Sequence, residues 1–421
     1  MRAEGHRANL PWLYAGRALR SFSTAFLTVV FPLYLARAGY GAGGVGLVLS
    51  LSGLVGMLLV AAVGVGADRF GRRRLLIALA LLTAAGGFTL ALAPPALAVA
   101  VVASGLGGVG RGGGAGSGGA WGPVFPAEQP LLAEAVPPPE RTRVFGVVSF
   151  VGVLAGAAGS AVAGLPAALE ARGVGLLAGY RLLFFAAGVL GLAMAAVTLP
   201  VREDPPARPR PAAGESPLPV ARLIGRLAVT NGLNGFAIGF LGPLFTYWLY
   251  RRFGVGPAEI GTLYAAVNLA AAIPYLGSAA LVRRLGAVRT VVVTRAVGAL
   301  GLVLIPFLPS FTWVGVAYTL RMVVNSLGMP ARQSFTMSVS DERYRARVSA
   351  FGSLPSQITS LISPAVAGAV MDAWLDFPLF GAAAFMAANA AAYYLAFRHV
   401  PVPGEGERSV PRAAGGPAEV G

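Results

Sequence analysis

The sequence predicts an all-α membrane protein with twelve transmembrane helices in two pseudo-symmetric six-helix bundles. Three observations predict this. Hydrophobic residues make up 56% of the 421 and charged residues only 12%, where a soluble globular chain carries about 25% charge. Apolar runs of membrane-spanning length recur from end to end, and a set of glycines and arginines repeats at a fixed offset. With a mean hydropathy of +0.70, no single aqueous core holds so much apolar sequence, and lipid is its natural solvent.

A transmembrane helix needs about 20 apolar residues. The first six spans are expected at 12–36, 43–66, 75–94, 96–119, 144–166 and 177–199. A second six follow at 223–249, 258–282, 288–308, 311–333, 349–371 and 379–397. Between the sets, Arg202 to Pro219 holds prolines 205, 206, 209, 211, 217 and 219, a density that no helix interior accepts. The expected organisation is a six-helix bundle over 1–200, a cytoplasmic proline-rich linker over 201–221, a second bundle over 222–400 and a disordered cytoplasmic tail over 401–421.

The arginines orient these spans. With both termini cytoplasmic, the inner loops and tails hold twenty-three arginines and the outer loops five, namely Arg37, Arg172, Arg181, Arg251 and Arg252. Arg17, Arg20, Arg111, Arg295 and Arg321 remain inside spans. The asymmetry obeys the positive-inside rule and places a multi-pass chain in a plasma membrane of the bacterial inner-membrane kind, with no cleaved signal peptide expected.

Composition also excludes classes of chemistry. There is no cysteine, hence no disulfide, thiol nucleophile or cysteine metal site, and the two histidines, His6 and His399, lie near the chain ends. No nucleophile–base–orienter set, metal-ligand cluster or Walker motif is visible, so neither an enzyme nor an ATP-driven pump is expected, and no cofactor or metal. The net charge of +16 falls in short clusters between apolar runs rather than in a basic stripe, which argues for a lipid bilayer and against nucleic acid as partner. A monomer is expected.

The repeat is specific in order and spacing. Gly39, Gly46 and Gly71 are separated by 7 and 25 residues, and Gly254, Gly261 and Gly286 reproduce the set 215 residues later. Arg69-Phe70-Gly71 matches Arg284-Leu285-Gly286, Arg111 finds Arg321, and Arg141 with Phe145-Gly146 finds Arg347 with Phe351-Gly352. A six-plus-six repeat is the pattern of a rocking transporter whose site lies between its halves.

At the end of span two stands Gly64-Val-Gly-Ala-Asp68-Arg69-Phe-Gly71-Arg72-Arg73-Arg74. Its glycines permit a tight turn, its arginines suit the anionic inner leaflet, and Asp68 can pair with arginine or accept a helix N-terminus. The segment resembles the loop 2–3 signature of the major facilitator superfamily, G-x-x-x-D-R-x-G-R-R. That resemblance implies secondary transport and an aspartate that helps latch the halves in the outward-facing state; an incidental acid in a basic topology loop is the plainer alternative. The second copy has Arg283 where the first has Asp68, so a latch here is one-sided.

Span four, Leu106-Gly-Gly-Val-Gly110-Arg111-Gly-Gly-Gly113-Gly114-Ala-Gly116, is similar to the family's fourth-helix pattern R-x-x-q-G-x-g, with glycine at 113 in place of glutamine. An arginine near mid-bilayer costs about 2.5–3.5 kcal/mol and faces protein or a wet cavity; in relatives it serves proton transfer or substrate binding, and the alternative is a structural arginine on helix-end carbonyls. Gly108-x-Gly110-x-x-Gly113 matches a dinucleotide fingerprint only nominally, because no βαβ alternation surrounds it. Gly110, Gly114 and Gly118 fall four apart on one helical face and read as helix packing. Gly152 and Gly156 in span five have the same reading; the family's antiporter branches place proline at the position of Ala157 here.

In this fold spans one, four, seven and ten line the cavity, which nominates Arg20, Arg111, Asn231, Asn234, Arg321 and Asn325, with Gln357 from span eleven and with Tyr34 and Tyr247 as cavity or interface aromatics. Proton coupling wants a carboxylate whose pKa the membrane can raise. No acid sits mid-span; Glu128, beyond span four in an apolar stretch, is the best placed, a surface-loop acid being its alternative. The leading expectation is a proton-coupled exporter of small amphipathic or drug-like molecules, most like the twelve-helix drug-efflux branch. The alternative is an importer or exchanger of anionic metabolites built on Arg111 and Arg321, with another coupling solute in place of protons. A membrane sensor with a transporter-like body is a distant third.

Overall fold

The structure is a computed structural model that describes residues 7–108, 123–136, 140–203, 218–242, 244–272, 274, 281–282, 284–338 and 345–400. At 64–65, 67–69, 125–126, 133, 141–143, 218–221, 330, 333–334, 336–338 and 345–353 it describes the backbone alone.

Among the described residues every regular element is helical. The first half runs α1 (Leu10–Arg37), α2 (Ala42–Phe70), α3 (Arg72–Leu92), α4 (Leu97–Gly107), α5 (Phe125–Glu134), α6 (Arg141–Val162), the short α7 (Leu165–Glu170) and α8 (Leu176–Thr198). The second runs α9 (Leu218–Leu241), α10 (Leu244–Phe253), α11 (Pro257–Ala272), α12 (Ala287–Leu304), α13 (Phe311–Ser338), α14 (Arg345–Met371) and α15 (Phe377–Phe397). Nine described helical runs are long and apolar enough to cross a bilayer. They leave large apolar side chains such as Leu58, Phe150, Leu300 and Leu395 exposed, as a chain solvated by lipid requires.

Two spans differ from the sequence expectation. Where one helix was expected over 96–119, α4 ends at Gly107, and Gly108 caps it in the left-handed region (φ +69). Glycine is the residue that reaches this conformation without penalty and the one that least supports a continuing helix. Helix is next described at Phe125. The 11 residues of α4 and the 10 of α5 rise about 16 and 15 Å, each half of the roughly 30 Å hydrocarbon core. Both pack against α2 and α3, so two half-length helices occupy the place of one crossing. Span seven is likewise split. Its helix gives way at Gly242, immediately before Pro243, because a residue ahead of proline is pushed out of the α region.

Within the first half α1 packs on α6 and α8, and α3 on α8 and α4; within the second, α9 packs on α14 and α15, and α12 on α13 and α15. The halves meet along two main seams, α2 with α14 and α6 with α11. The repeat glycines explain both the turns and the seams. Gly39 and Gly254 turn at φ +93 and +68 ahead of α2 and α11, and Gly71 and Gly286 start α3 and α12 at φ +85 and +80. The middle pair makes the seams: a Cβ on Gly46 would collide with the carbonyl of Pro364 in α14, and one on Gly261 with the carbonyl of Ser160 in α6. The close cross-seam contacts run from Gly43 against Asp372 to Gly53 against Leu361, and from Gly164 against Ala258 to Gly156 against Asn268. They belong to the end of the molecule that carries Gly39 and Gly254. Toward the other end Leu54 and Leu58 of α2 and Leu354 and Ile358 of α14 are exposed.

Candidate functional site

Arg17 and Arg20 stand three apart on α1 and therefore share a face. Glu128 sits in the first turn of α5, where the helix N-terminus favours negative charge. The three meet inside the first bundle. Glu128 Oε2 accepts from Arg17 Nη2 at 2.9 Å and from Arg20 Nη2 at 2.8 Å, with side-chain exposures of 4%, 2% and 13%. Two guanidinium groups thus converge on one carboxylate oxygen and leave a local excess of one positive charge. Such a pair, out of water, persists only with good geometry, and removing one partner strands the others.

Arg20 and Glu128 also line a cavity between α1, α3, the end of α4 and α8. Its walls divide by chemistry: Leu79, Leu106 and Met194 are apolar, whereas Ser23 with Arg20 and Glu128 forms a polar end. The Ser23 hydroxyl is buried and has no hydrogen-bond partner. All described lining residues belong to the first half.

The other expected site residues are scattered. Arg111, Gly110, Gly114 and Gly118 lie outside the described residues. Asn234 is buried in α9 with its Oδ1 unpartnered, while Asn231, Asn325 and Gln357 are half-buried on α9, α13 and α14. Arg321 is not turned toward the first half. Its Nε donates to Gly298 O at 3.3 Å, its Nη atoms approach Met322 and Met386 sulfurs, and its guanidinium lies 5.7 Å from the Tyr318 ring. It is a buried arginine of the second bundle, packed on α12 and α15 because Gly298 and Gly301 leave room for it. Tyr34 is no interface aromatic either: it is buried edge-on to Tyr180 and Phe184. Gly156 faces Asn268 across the seam at ordinary contact distance, and the tight glycine of α6 is Gly159, against the Phe22 carbonyl of α1; Gly152 is buried.

The loop 2–3 motif is a helix start. α2 continues through Gly64, Asp68 and Arg69, whose side chains lie outside the description. Gly71 precedes α3, and the first free N–H groups of that helix, on Arg72 and Arg73, donate to Glu203 Oε1 and Oε2 at 2.7 and 2.8 Å. Arg72 pairs with Glu134 of α5, and Arg73 donates to Leu199 O. Sequence reasoning missed Glu203; the available signal was an acid just past span six, at the edge of the linker. It also missed Arg17, on the same helical face as Arg20, and Asn268, whose Nδ2 donates to Tyr264 O at 2.9 Å and reaches Ser160 Oγ at 3.4 Å across the seam.

Comparison with known proteins adds three findings. The family model described as Major Facilitator Superfamily matches residues 13–231 and again 227–418. No curated protein matches the chain in sequence. Solved structures resemble it over nearly their whole length. A bacterial homologue of the human lysosomal transporter Spinster, in an inward-facing and unoccupied conformation, is 17% identical, with a TM-score of 0.70 over 93% of this chain and 97% of that one. An auto-inhibited POT family peptide transporter is 15% identical, with a TM-score of 0.71 over 94% and 98%. The nucleoside transporter NupG is 13% identical, with a TM-score of 0.68 over 93% and 99%.

Proposed function

Because this chain belongs to the major facilitator superfamily, we propose that it exports small amphipathic compounds by alternating access and that a proton on Glu128 drives the exchange. Membership makes it a multi-pass membrane transporter of small molecules. Export, the coupling ion, the twelve-span count and an orientation with both termini in the cytoplasm are this article's reading.

The observation that carries the proton assignment is the buried meeting of Glu128 with Arg17 and Arg20 on one oxygen. At such distances each opposite-charge pair is worth on the order of 4 kcal/mol at an effective dielectric constant of 20. Protonating the carboxylate removes both attractions and leaves two guanidinium groups to repel. α1 and α5 are then no longer tied, so a proton is converted into helix displacement. Amphipathic cargo is supported by the cavity beside this triad, with its apolar wall and single polar end. With the arginine-rich loops in the cytoplasm, the cavity lies near the inner ends of α1 and α3. The seams close at the opposite, outer end, which corresponds to an inward-facing state ready to load from the cytoplasm.

The test is internal pH in proteoliposomes with an acidic lumen, challenged from outside with lipophilic cations, neutral amphiphiles and organic anions. Proton efflux triggered by an amphiphile, and lost in Glu128→Gln, is the expected result. Accumulation of anions alone, without proton movement and insensitive to Glu128→Gln, refutes the exporter and leaves an anion carrier.

A further inference from the structure

The start of α2 has no cap of its own. The chain enters it through Gly39-Tyr40-Gly41-Ala42-Gly43-Gly44, which contains none of the Ser, Thr, Asp or Asn residues that satisfy the free N–H groups of a first turn. Its repeat partner, α11, is capped locally: Glu259, in the first turn, accepts from Gly256 N at 2.9 Å. The repeat offset of 215 places Gly44 where α11 has Glu259, so the first copy lacks the acid.

α2 is capped from the other half instead. Asp372, the residue following α14, accepts from Ala42 N through Oδ1 at 3.0 Å and from Gly43 N through Oδ2 at 2.9 Å. The glycines make this possible, because a Cβ on Gly43 would stand 3.2 Å from the carboxylate and one on Gly41 3.5 Å. Two charge-assisted bonds to a helix N-terminus therefore span the seam, 330 residues apart in sequence. Below them the seam is held by Ser50 Oγ, which accepts from Ala365 N at 2.9 Å, and by the Gly46–Gly368 approach.

We propose that Asp372 is an outer latch: its carboxylate holds the inward-facing state by capping α2 in trans, and the outer gate opens when that cap is broken. The bond exists only while α2 and α14 touch at this end, so opening uncaps α2. The energy of a helix cap is thereby placed on one side of the transport cycle. The proposal rests on the rocking-transporter reading and on its orientation.

The absence of native cysteine makes the test direct. Spin labels at Arg172→Cys and Arg252→Cys report the separation of the halves at the outer end, and labels at Leu199→Cys and Arg398→Cys report the inner end; all four positions are exposed. In lipid nanodiscs, pulsed dipolar spectroscopy on Asp372→Asn should show the ratio of long to short outer distances rising about tenfold, the worth of roughly one strong cap. The inner distances should shorten in step. Gly44→Glu in the Asp372→Asn background, which must displace the Tyr40 ring, gives α2 a local cap of the Glu259 kind. It should restore thermal stability and leave the outer end open.

If wild type exchanges between two outer distances and Asp372→Asn and Asp372→Ala leave their ratio unchanged, the latch is overturned while rocking stands. If Gly44→Glu also closes the outer end, Asp372 is an ordinary cap and the latch is again overturned. A single unchanging outer distance in every variant and at every pH overturns both the latch and the rocking reading.

Discussion

Glu128 decides most at the residue scale. From sequence it was only an acid in an apolar stretch, and its alternative was a surface loop. What hid its position was the glycine-rich run before it: a span boundary is read from apolar length, and glycine counts neither for nor against. Arg17 was missed because spans are scanned for polar residues one at a time, whereas the geometry needs two cations three apart. If the triad is buried as described, Glu128→Gln leaves Arg17 and Arg20 facing each other without a counter-charge and should cost about 3–5 kcal/mol. Melting followed by tryptophan fluorescence in detergent should show a large fall. Adding Arg17→Met should recover much of it by removing the repulsion. Unchanged melting in Glu128→Gln would place this carboxylate in water. Arg321 marks the limit of symmetry as a guide: its repeat relation to Arg111 was legible, but whether it turned toward the seam or into its own bundle depended on Gly298 and Gly301 on another helix.

At the element scale the starts and stops were legible wherever glycine or proline forced them. Gly71 was read as a turn, and it is one, at φ +85. The carboxylate opposite it was not legible, because Glu203 is 132 residues away and nothing local pairs them. Gly71→Ala should lose about 1 kcal/mol for the left-handed backbone and more for crowding Glu203, whose Oε2 would lie 3.1 Å from the new Cβ. Gly173→Ala separates the two effects. That glycine has φ +87 and no atom within 4 Å of an added Cβ, so it carries the backbone cost alone. Equal losses of melting stability in the two variants would show that the Glu203 contact contributes nothing. The splits at Gly108 and Gly242 were written in the sequence but outweighed by hydropathy, which measures solvent preference and not helix continuity.

The whole molecule was the most legible level. Hydropathy fixed the class, and a 215-residue offset picked out glycines that build corresponding turns and corresponding seams in the two halves. The seams consist of noncovalent contact between α2 and α14 and between α6 and α11, with the linker segment serving as a tether. A protease site placed between residues 204 and 217 should therefore give two fragments that co-elute on size exclusion after cleavage. Gly46→Leu with Gly261→Leu should make the cleaved halves separate, since each new side chain meets a backbone carbonyl across its seam. Separation of the cleaved wild type would mean that the tether, not the seams, holds the molecule together. What no periodicity could reveal is the departure from symmetry at the two helix starts, one capped by its own Glu259 and the other by Asp372 of the opposite half. That departure makes the halves mutually dependent as inherited units. Gly44 and Asp372 form a compatible pair of alleles at distant loci, and crossing-over between duplicated copies or with a relative would tend to part them. A chimaera carrying acids at both positions would crowd two like charges onto one helix start, and one carrying neither would leave it bare, so exchange of whole bundles is penalised even where every transmembrane face still fits.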